Sequence, residues 1–264
     1  MKRLSELTAE AARHLQGIVF DLDGTLLTDG RLTLEAYDAL HQLSAAGLHL
    51  VACTGRPAGW GEVIARQWPI ALAVTENGAI SFRRDGVGVV PIDRIAPADR
   101  DDRRQRLVKL ADELGRQFTD VELADDNRAR RSDVTFDIGE RRKVPSAEVV
   151  ALRCAAATLG ARTFLSSIHL HVTFDTDDKA SGTLFALAAA HGVEPSAALS
   201  RYAFVGDSAN DEACFSAFRT TFGVANIVDH CGTLTVGPQV LSDASWGAGF
   251  AEIAATLLAL REGA

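Results

Sequence analysis

The chain predicts an α/β protein, a doubly wound parallel sheet interrupted by a smaller α+β unit. Three observations carry this reading. Short apolar runs, GIVF at 17–20, LHLVAC at 48–53, ALAVT at 71–75 and YAFVG at 202–206, alternate with stretches of helical periodicity. That is the rhythm of buried strands joined by crossover helices. Between residues 83 and 176 the rhythm gives way to strands whose apolar and polar residues strictly alternate. Finally, acidic and hydroxyl residues cluster directly after the apolar runs, at the strand ends where open parallel sheets bind ligands.

The elements follow in order. The segment Leu4 to Leu15 has helical spacing and forms an N-terminal extension over 1–16. A strand at about 17–21 leads to a helix at about 33–46, with Leu34, Tyr37, Leu40 and Leu43 spaced along one face. Gly47 stops that helix. Strands at 48–53 and 71–75 bracket a helix that begins near Pro57, a favourable first-turn residue. AISFRR and GVGVVPI flank Asp85-Gly86, a hairpin signal. A charged helix at about 98–116 follows. In DVTFDI (133–138), Val134, Phe136 and Ile138 fall on one face and Asp133, Thr135 and Asp137 on the other. After a helix at about 146–159, IHLHVTFD (168–175) places Ile168, Leu170, Val172 and Phe174 opposite His169, His171, Thr173 and Asp175. A helix at about 179–191, the strand 202–206, a helix at about 210–217, short strands near 220–224 and 238–241, and a helix at about 248–261 complete the chain. The division expected is a core of 1–82 plus 177–264 and an inserted unit of 83–176.

Composition narrows the function. The chain has 264 residues, 47% of them hydrophobic, enough for one large or two modest cores. A formal net charge of −8 argues against a nucleic-acid groove or an anionic membrane as partner. The four cysteines, Cys53, Cys154, Cys214 and Cys231, form no CxxC pair, which favours reduced thiols and a cytoplasmic protein. The first residues lack the unbroken apolar stretch of a signal peptide, and no segment is apolar for long enough to cross a bilayer. The N-terminal helix either covers the core or mediates self-association, so a homo-oligomer stays open.

Four elements carry the chemistry. Asp21-Leu22-Asp23-Gly24-Thr25 puts two carboxylates where a buried strand stops, a crowding that a positive charge must compensate. Thr54-Gly55-Arg56 directly follows LHLVAC; Lys179 opens a helix after the insert; Gly206-Asp207-Ser208-Ala209-Asn210-Asp211 follows YAFV. Oxygen-only donors with several carboxylates suit a hard cation, Mg²⁺, rather than zinc. A lysine, a hydroxyl and turn amides suit a phosphate.

The ordered set DLDGT, TGR, Lys179 and GDSAND resembles the haloacid dehalogenase (HAD) superfamily of phosphohydrolases. TENGA at 75–79 and the insert between Thr54 and Lys179 resemble its Cof-type, subclass IIB sugar-phosphatase branch. The resemblance spans about 17–250 and implies a Rossmann-like catalytic core with an inserted α+β cap. It assigns Asp21 as the nucleophile and Asp23 as general acid and then base. The metal falls to the Asp21 and Asp207 carboxylates and the Asp23 carbonyl, with Asp211 beside or among the ligands. Thr54, Gly55, Lys179 and Asn210 hold the phosphoryl group; Arg56 either joins them or braces the helix start. The implied activity is Mg²⁺-dependent release of phosphate from a small phosphorylated metabolite, a sugar or sugar-acid phosphate. A phosphomannomutase-like phosphotransferase is the alternative of the same class, and a receiver-like phospho-acceptor the alternative of another.

Other residues keep two readings. His169 and His171 are structural, bind metal, or roof the site together with Asp133 and Asp137. Asn127-Arg128-Ala129-Arg130-Arg131 is a solvated loop or meets a second anionic group on the substrate. Trp60 lines the cleft or packs, and Asp229-His230-Cys231 reads as local structure.

Overall fold

A computed structural model describes residues 1–264 except 167, 231, 233 and 264. Cys231 therefore lies outside the described residues, while Cys53, Cys154 and Cys214 are free thiols. In chain order the elements begin with β1 (Lys2–Arg3), α1 (Ala9–His14), β2 (Gly17–Phe20), β3 (Leu27–Thr28), β4 (Arg31–Leu32) and α2 (Leu34–Ala45). Next come β5 (His49–Cys53), α3 (Ala58–Gln67), β6 (Leu72–Thr75), β7 (Ile80–Asp85), β8 (Gly88–Asp93) and α4 (Pro97–Gln117). The chain then forms β9 (Asp133–Asp137), α5 (Ser146–Thr158), β10 (Arg162–Leu165), β11 (His169–Thr173), α6 (Lys179–His191) and α7 (Pro195–Arg201). It ends with β12 (Tyr202–Gly206), α8 (Glu212–Ala217), β13 (Thr220–Gly223), β14 (Val240–Leu241) and α9 (Trp246–Glu262).

Among the described residues, nine strands form the core sheet in the order β1-β14-β13-β12-β2-β5-β6-β7-β8. Pairing is parallel from β1 to β6 and antiparallel from β6 to β8. Successive residues of β2 serve opposite faces. Ile18 and Phe20 pack with α2, α3 and α9, whereas Val19 packs with α6 and α8. Burial on both faces is why GIVF reads as an unbroken apolar run. Chain order reverses at β2: later strands add β5 and β6 on one side and β12 on the other, leaving a crevice at the carboxyl ends.

The insert is a second layer pair. Its sheet runs β10-β11-β9, antiparallel, with Val134 opposite Val172 and Phe136 opposite Leu170. Those four pack on Leu107, Leu110 and Leu114 of α4 and Val149 and Leu152 of α5. The opposite face carries Asp133, Thr135, His171 and Thr173, all buried, because it is turned toward the core.

Three expectations need correction. The boundary at 83 moves, since Arg83 and Arg84 pair with Val90 and Val89 inside the core sheet, and the cap begins at α4. The free edge of β6 takes the hairpin, a choice that a local turn signal does not encode. The N-terminal helix is split into a 3₁₀ turn at 4–6 and α1, and Lys2–Arg3 extends the sheet edge beside β14. Arg261 of α9 donates to the carbonyls of Ala12 and Leu15, which fastens this segment over the core. Finally, β3, β4, α7 and β10 were not anticipated, since segments this short show no decisive period. No helix among the described residues is long and apolar enough to cross a membrane.

Candidate active site

Asp21 directly follows β2, and its amide donates to the Val205 carbonyl of β12 at 2.9 Å, which carries the ladder one residue beyond the strand. Its carboxylate lies 2.9 Å from Lys179 Nζ. Lys179 reaches it because Asp178 caps α6: Asp178 Oδ1 accepts from the Ser181 amide at 2.8 Å and Ser181 Oγ accepts from the Asp178 amide at 2.9 Å. Asp177 turns outward to Arg94 while the lysine side chain, 1% exposed, points into the core. Gly182 supports this placement. A Cβ there would lie 2.2 Å from the Gly78 carbonyl, so α6 can approach the 76–78 turn only without a side chain.

Lys179 is shared. It donates to Asp211 Oδ1 at 2.7 Å and to Asn210 Oδ1 at 3.3 Å. The other Asp211 oxygen accepts from the amides of Asp207 and Ser208, at 3.0 and 3.2 Å. Asp211 thus fixes both the lysine and the loop that presents Asp207. Asp207 in turn accepts from Thr25 Oγ1 at 2.9 Å and Asn226 Nδ2 at 3.2 Å. Oxygens of Asp21, Asp207 and Asp211 all come within 4.8 Å of one another.

The electrostatics follow from burial. Desolvation pushes the Asp21 carboxyl well above its ordinary value; Asp211 and Asp207 push the same way, and Lys179 opposes them. Burial, helped by Asp211, lifts Asp207 to about 7. Burial alone would lower the Lys179 ammonium, but Asp21 and Asp211 outweigh it and hold it well above its ordinary value. One lysine therefore serves three carboxylates.

Asp23 lies at the mouth. Arg56 grips both its oxygens, Nε–Oδ2 at 2.7 Å and Nη2–Oδ1 at 2.5 Å, in a fork whose carboxylate is 50% exposed. The guanidinium sits 3.9 Å from the Trp60 ring centroid. Thr54 Oγ1 accepts from the Arg56 amide at 3.1 Å, which leaves its own proton to donate. These groups line a cleft of about 340 Å³ together with Ser208 and Asn210 below and Asp126, Arg130, His169 and His171 above. His230 also lines it, although the sequence around it reads as local structure.

The 130–133 segment closes the cap on the core. Arg130 Nη1 donates to the Gly55 carbonyl at 3.0 Å and to Asp133, while its Nε and Nη2 hold Asp126. Glu76, from the core turn after β6, accepts from the amides of Ala58, Arg131 and Ser132 and from Ser132 Oγ.

A family model described as haloacid dehalogenase-like hydrolase matches residues 18–90, the stretch that carries Asp21, Asp23 and Thr54. Over that stretch the chain is similar to the haloacid dehalogenase-like hydrolases. The "Putative phosphatase YxeH" of Bacillus subtilis (strain 168) is 54% identical over 43 residues, and that match covers 16% of this chain and 16% of the relative. Protein 0175 of Thermoplasma acidophilum shares the fold at 20% identity, over 92% of this chain and 98% of its own, with a TM-score of 0.73. So does the HAD subclass IIB sugar phosphatase BT4131, at 17% identity over 94% and 99%, with a TM-score of 0.62.

In the core Asp21, Thr54, Lys179, Asp207, Asn210 and Asp211 converge below the cap, and Gly55 and Asp23 line the cleft. Arg56 spends its guanidinium on Asp23 and Trp60. Asn226 was missed: it ties the Gly24 carbonyl (2.9 Å) to Asp207, and its local sequence carries no motif. Gly24 has a φ of +82°, and a Cβ on it would meet Asp207 Oδ2 at 2.2 Å. Gly24→Ala is therefore expected to displace Asp207 and to lose about 1–3 kcal/mol of stability, read by urea denaturation. A variant as stable as the parent would show that the turn can relax away.

Proposed function

We propose that this protein is a Mg²⁺-dependent phosphohydrolase that removes phosphate from a small phosphorylated metabolite, a sugar or sugar-acid phosphate, through an aspartyl-phosphate. One observation carries the reading: a buried carboxylate held by a buried lysine beside two further buried acids, at the strand ends under a cap.

The donor set fits the metal. Asp21, Asp207 and Asp211 offer only oxygens, and burial, with the negative charge that three carboxylates leave against one lysine, raises the Asp21 and Asp207 carboxyls. Asp21, Asp207 and the Asp23 carbonyl would hold the ion, with Asp211 adjacent, and once bound it supplies positive charge to the phosphoryl oxygens. Addition of MgCl₂ to the purified protein is expected to raise Tm by about 2–5 °C. Asp207→Asn should abolish that rise. An equal rise in the variant would place the ion elsewhere.

The chain's own groups then account for the chemistry. Lys179 offsets the repulsion as a phosphate approaches Asp21. The Thr54 hydroxyl and the Gly55 amide donate to phosphoryl oxygens; Asn210, whose Oδ1 is taken by Lys179 and Ser208, has its NH₂ left to do the same. An Asp21 oxygen bonds to phosphorus as the ester P–O bond breaks, and Asp23 gives the leaving oxygen its proton. Asp23 must leave the Arg56 fork to do so. A water oxygen then attacks the same phosphorus, Asp23 takes the proton, and the Asp21–phosphorus bond breaks to release inorganic phosphate. The cap excludes bulk water meanwhile.

The test is steady-state hydrolysis of p-nitrophenyl phosphate with and without chelator, followed by acid-quench trapping of phosphate on Asp21. Chelator-insensitive turnover would overturn the metal, and label on another residue the nucleophile. Stable phosphorylation without turnover would favour the receiver-like reading. Isomerised hexose monophosphate from a bisphosphorylated hexose would favour the phosphotransferase.

A further inference from the structure

We infer that the roof of the cleft accepts hydrogen bonds and repels a second negative charge. Building on the phosphohydrolase reading and narrowing it from sugar or sugar-acid phosphate to the former, the substrate is then a monophosphate whose leaving group is uncharged and hydroxyl-rich or carries an ammonium, with no second phosphate and no carboxylate.

The argument is an inventory of charges in the roof. The sequence left the run 127–131 open as a contact for a second anion, and its basic side chains are either paired or turned away from the cleft. Arg130, with a side chain 1% exposed, is neutralised by Asp126 and Asp133 and spends its remaining reach on the Gly55 carbonyl. Arg131 pairs with Glu62, and Arg128 is exposed and does not line the cleft. What lines the roof instead is Asp125, Asp126 and Glu140, against the single spent guanidinium of Arg130. Asp125 is paired with Arg141 at 2.8 Å, but Arg141 is not among the lining residues; Glu140 is paired with His169 at 2.9 Å. Among the described residues, no roof arginine or lysine is free to meet an anionic leaving group. Bringing one beside these carboxylates sets like charges together in a partly enclosed space.

His171 supplies the attractive half. Its ring is 4% exposed, and Nδ1 lies 2.8 Å from Asp133 Oδ2. Arg130 keeps Asp133 ionised, and burial keeps the imidazole below its ordinary value and hence neutral, which places the ring proton on Nδ1. Nε2 is then an acceptor. Among the described residues no buried side-chain nitrogen or oxygen lacks a partner, so Nε2, which has no partner in the protein, opens onto the cleft that the ring lines. A hydroxyl or ammonium on the leaving group satisfies it; a carboxylate cannot. Asp133 and Arg130 act as positioning residues for that ring.

The experiment compares kcat/KM for glucose 6-phosphate, glucosamine 6-phosphate, 6-phosphogluconate and fructose 1,6-bisphosphate. Alongside, their dissociation constants for the Asp21→Asn protein with MgCl₂ are measured by calorimetry. The 6-phosphogluconate and the bisphosphate are expected at least about tenfold below the two sugar monophosphates in both measurements. Glu140→Lys, at a side chain 48% exposed and so no threat to folding, should close most of the gap for 6-phosphogluconate. His171→Phe should raise KM for glucose 6-phosphate relative to p-nitrophenyl phosphate by about tenfold. Equal or tighter binding of the doubly anionic compounds, or a gap that survives Glu140→Lys, overturns the inference. Failure to hydrolyse p-nitrophenyl phosphate would instead strike the phosphohydrolase reading, and the binding series distinguishes the two.

Discussion

Asp21→Asn is expected to lower kcat/KM toward every phosphate monoester by at least about a thousandfold while leaving the fold intact. The amide has the shape of the carboxylate and keeps one oxygen for Lys179, which lies 2.9 Å away. It lacks the charge and the nucleophilic lone pair that must reach phosphorus. The stability expectation has a separate cause. The folded state holds the Asp21 carboxyl well above its ordinary value, because burial and the adjacent acids disfavour its charged form. Such a group stabilises the fold below its ordinary pKa, and that contribution is lost as pH rises through the raised value. At neutral pH the ionised side chain is therefore a cost, and the amide removes it. Thermal denaturation at pH 7 should show a Tm equal to or above that of the parent. A variant that unfolds would refute the stability expectation, and one that retains turnover would refute the assignment of Asp21 as nucleophile.

Glu76→Ala should have the largest effect on stability. The Glu76 carboxylate is buried and accepts from three amides, of Ala58, Arg131 and Ser132, and from the Ser132 hydroxyl at 2.5 Å. Ala58 opens α3 of the core, whereas 131 and 132 belong to the segment leading into the cap strand β9. One side chain therefore satisfies donors from both domains. Alanine leaves them buried without an acceptor, a loss of about 3–5 kcal/mol once partial hydration is allowed for. Glu76 and Asn77 also both have positive φ, 49° and 55°, a strained pair that the same hydrogen bonds hold in place. Glu76→Gln should fall between the two, since it keeps one acceptor oxygen and turns an NH₂ toward the remaining donors. Urea denaturation midpoints measure the loss. A change below about 1 kcal/mol for alanine would mean that water replaces the carboxylate and that the cap is not fastened at this point.

The two experiments touch residues of very different legibility. Asp21, Asp23, Thr54 and Asp207 are readable because each follows an apolar strand within three residues, and strand ends are where a parallel sheet leaves room for ligands. The alternation of DVTFDI and IHLHVTFD likewise states which side chains share a face. It does not state what that face meets. Arg130 reads as one member of a charged loop, since two carboxylates and the Gly55 carbonyl surround it only after the cap folds down. Asn226 reads as nothing in particular, although it reaches across 202 positions of sequence to Gly24 and ties it to Asp207. The hairpin at Asp85-Gly86 is visible as a hairpin, but its attachment to β6 depends on a free edge elsewhere in the chain.

By itself the sequence determined the kind of fold, the two faces of each strand and the acids gathered at the strand ends, all properties set by neighbours a few positions apart through period and strand-end geometry. Only the tertiary structure decided which charges neutralise one another: that Lys179 faces Asp21 and Asp211, that Arg56 holds Asp23, and that Arg130 of the cap is spent on Asp126 and Asp133. Electrostatic pairing depends on distance in space and on exclusion of water, and neither is fixed until distant segments pack.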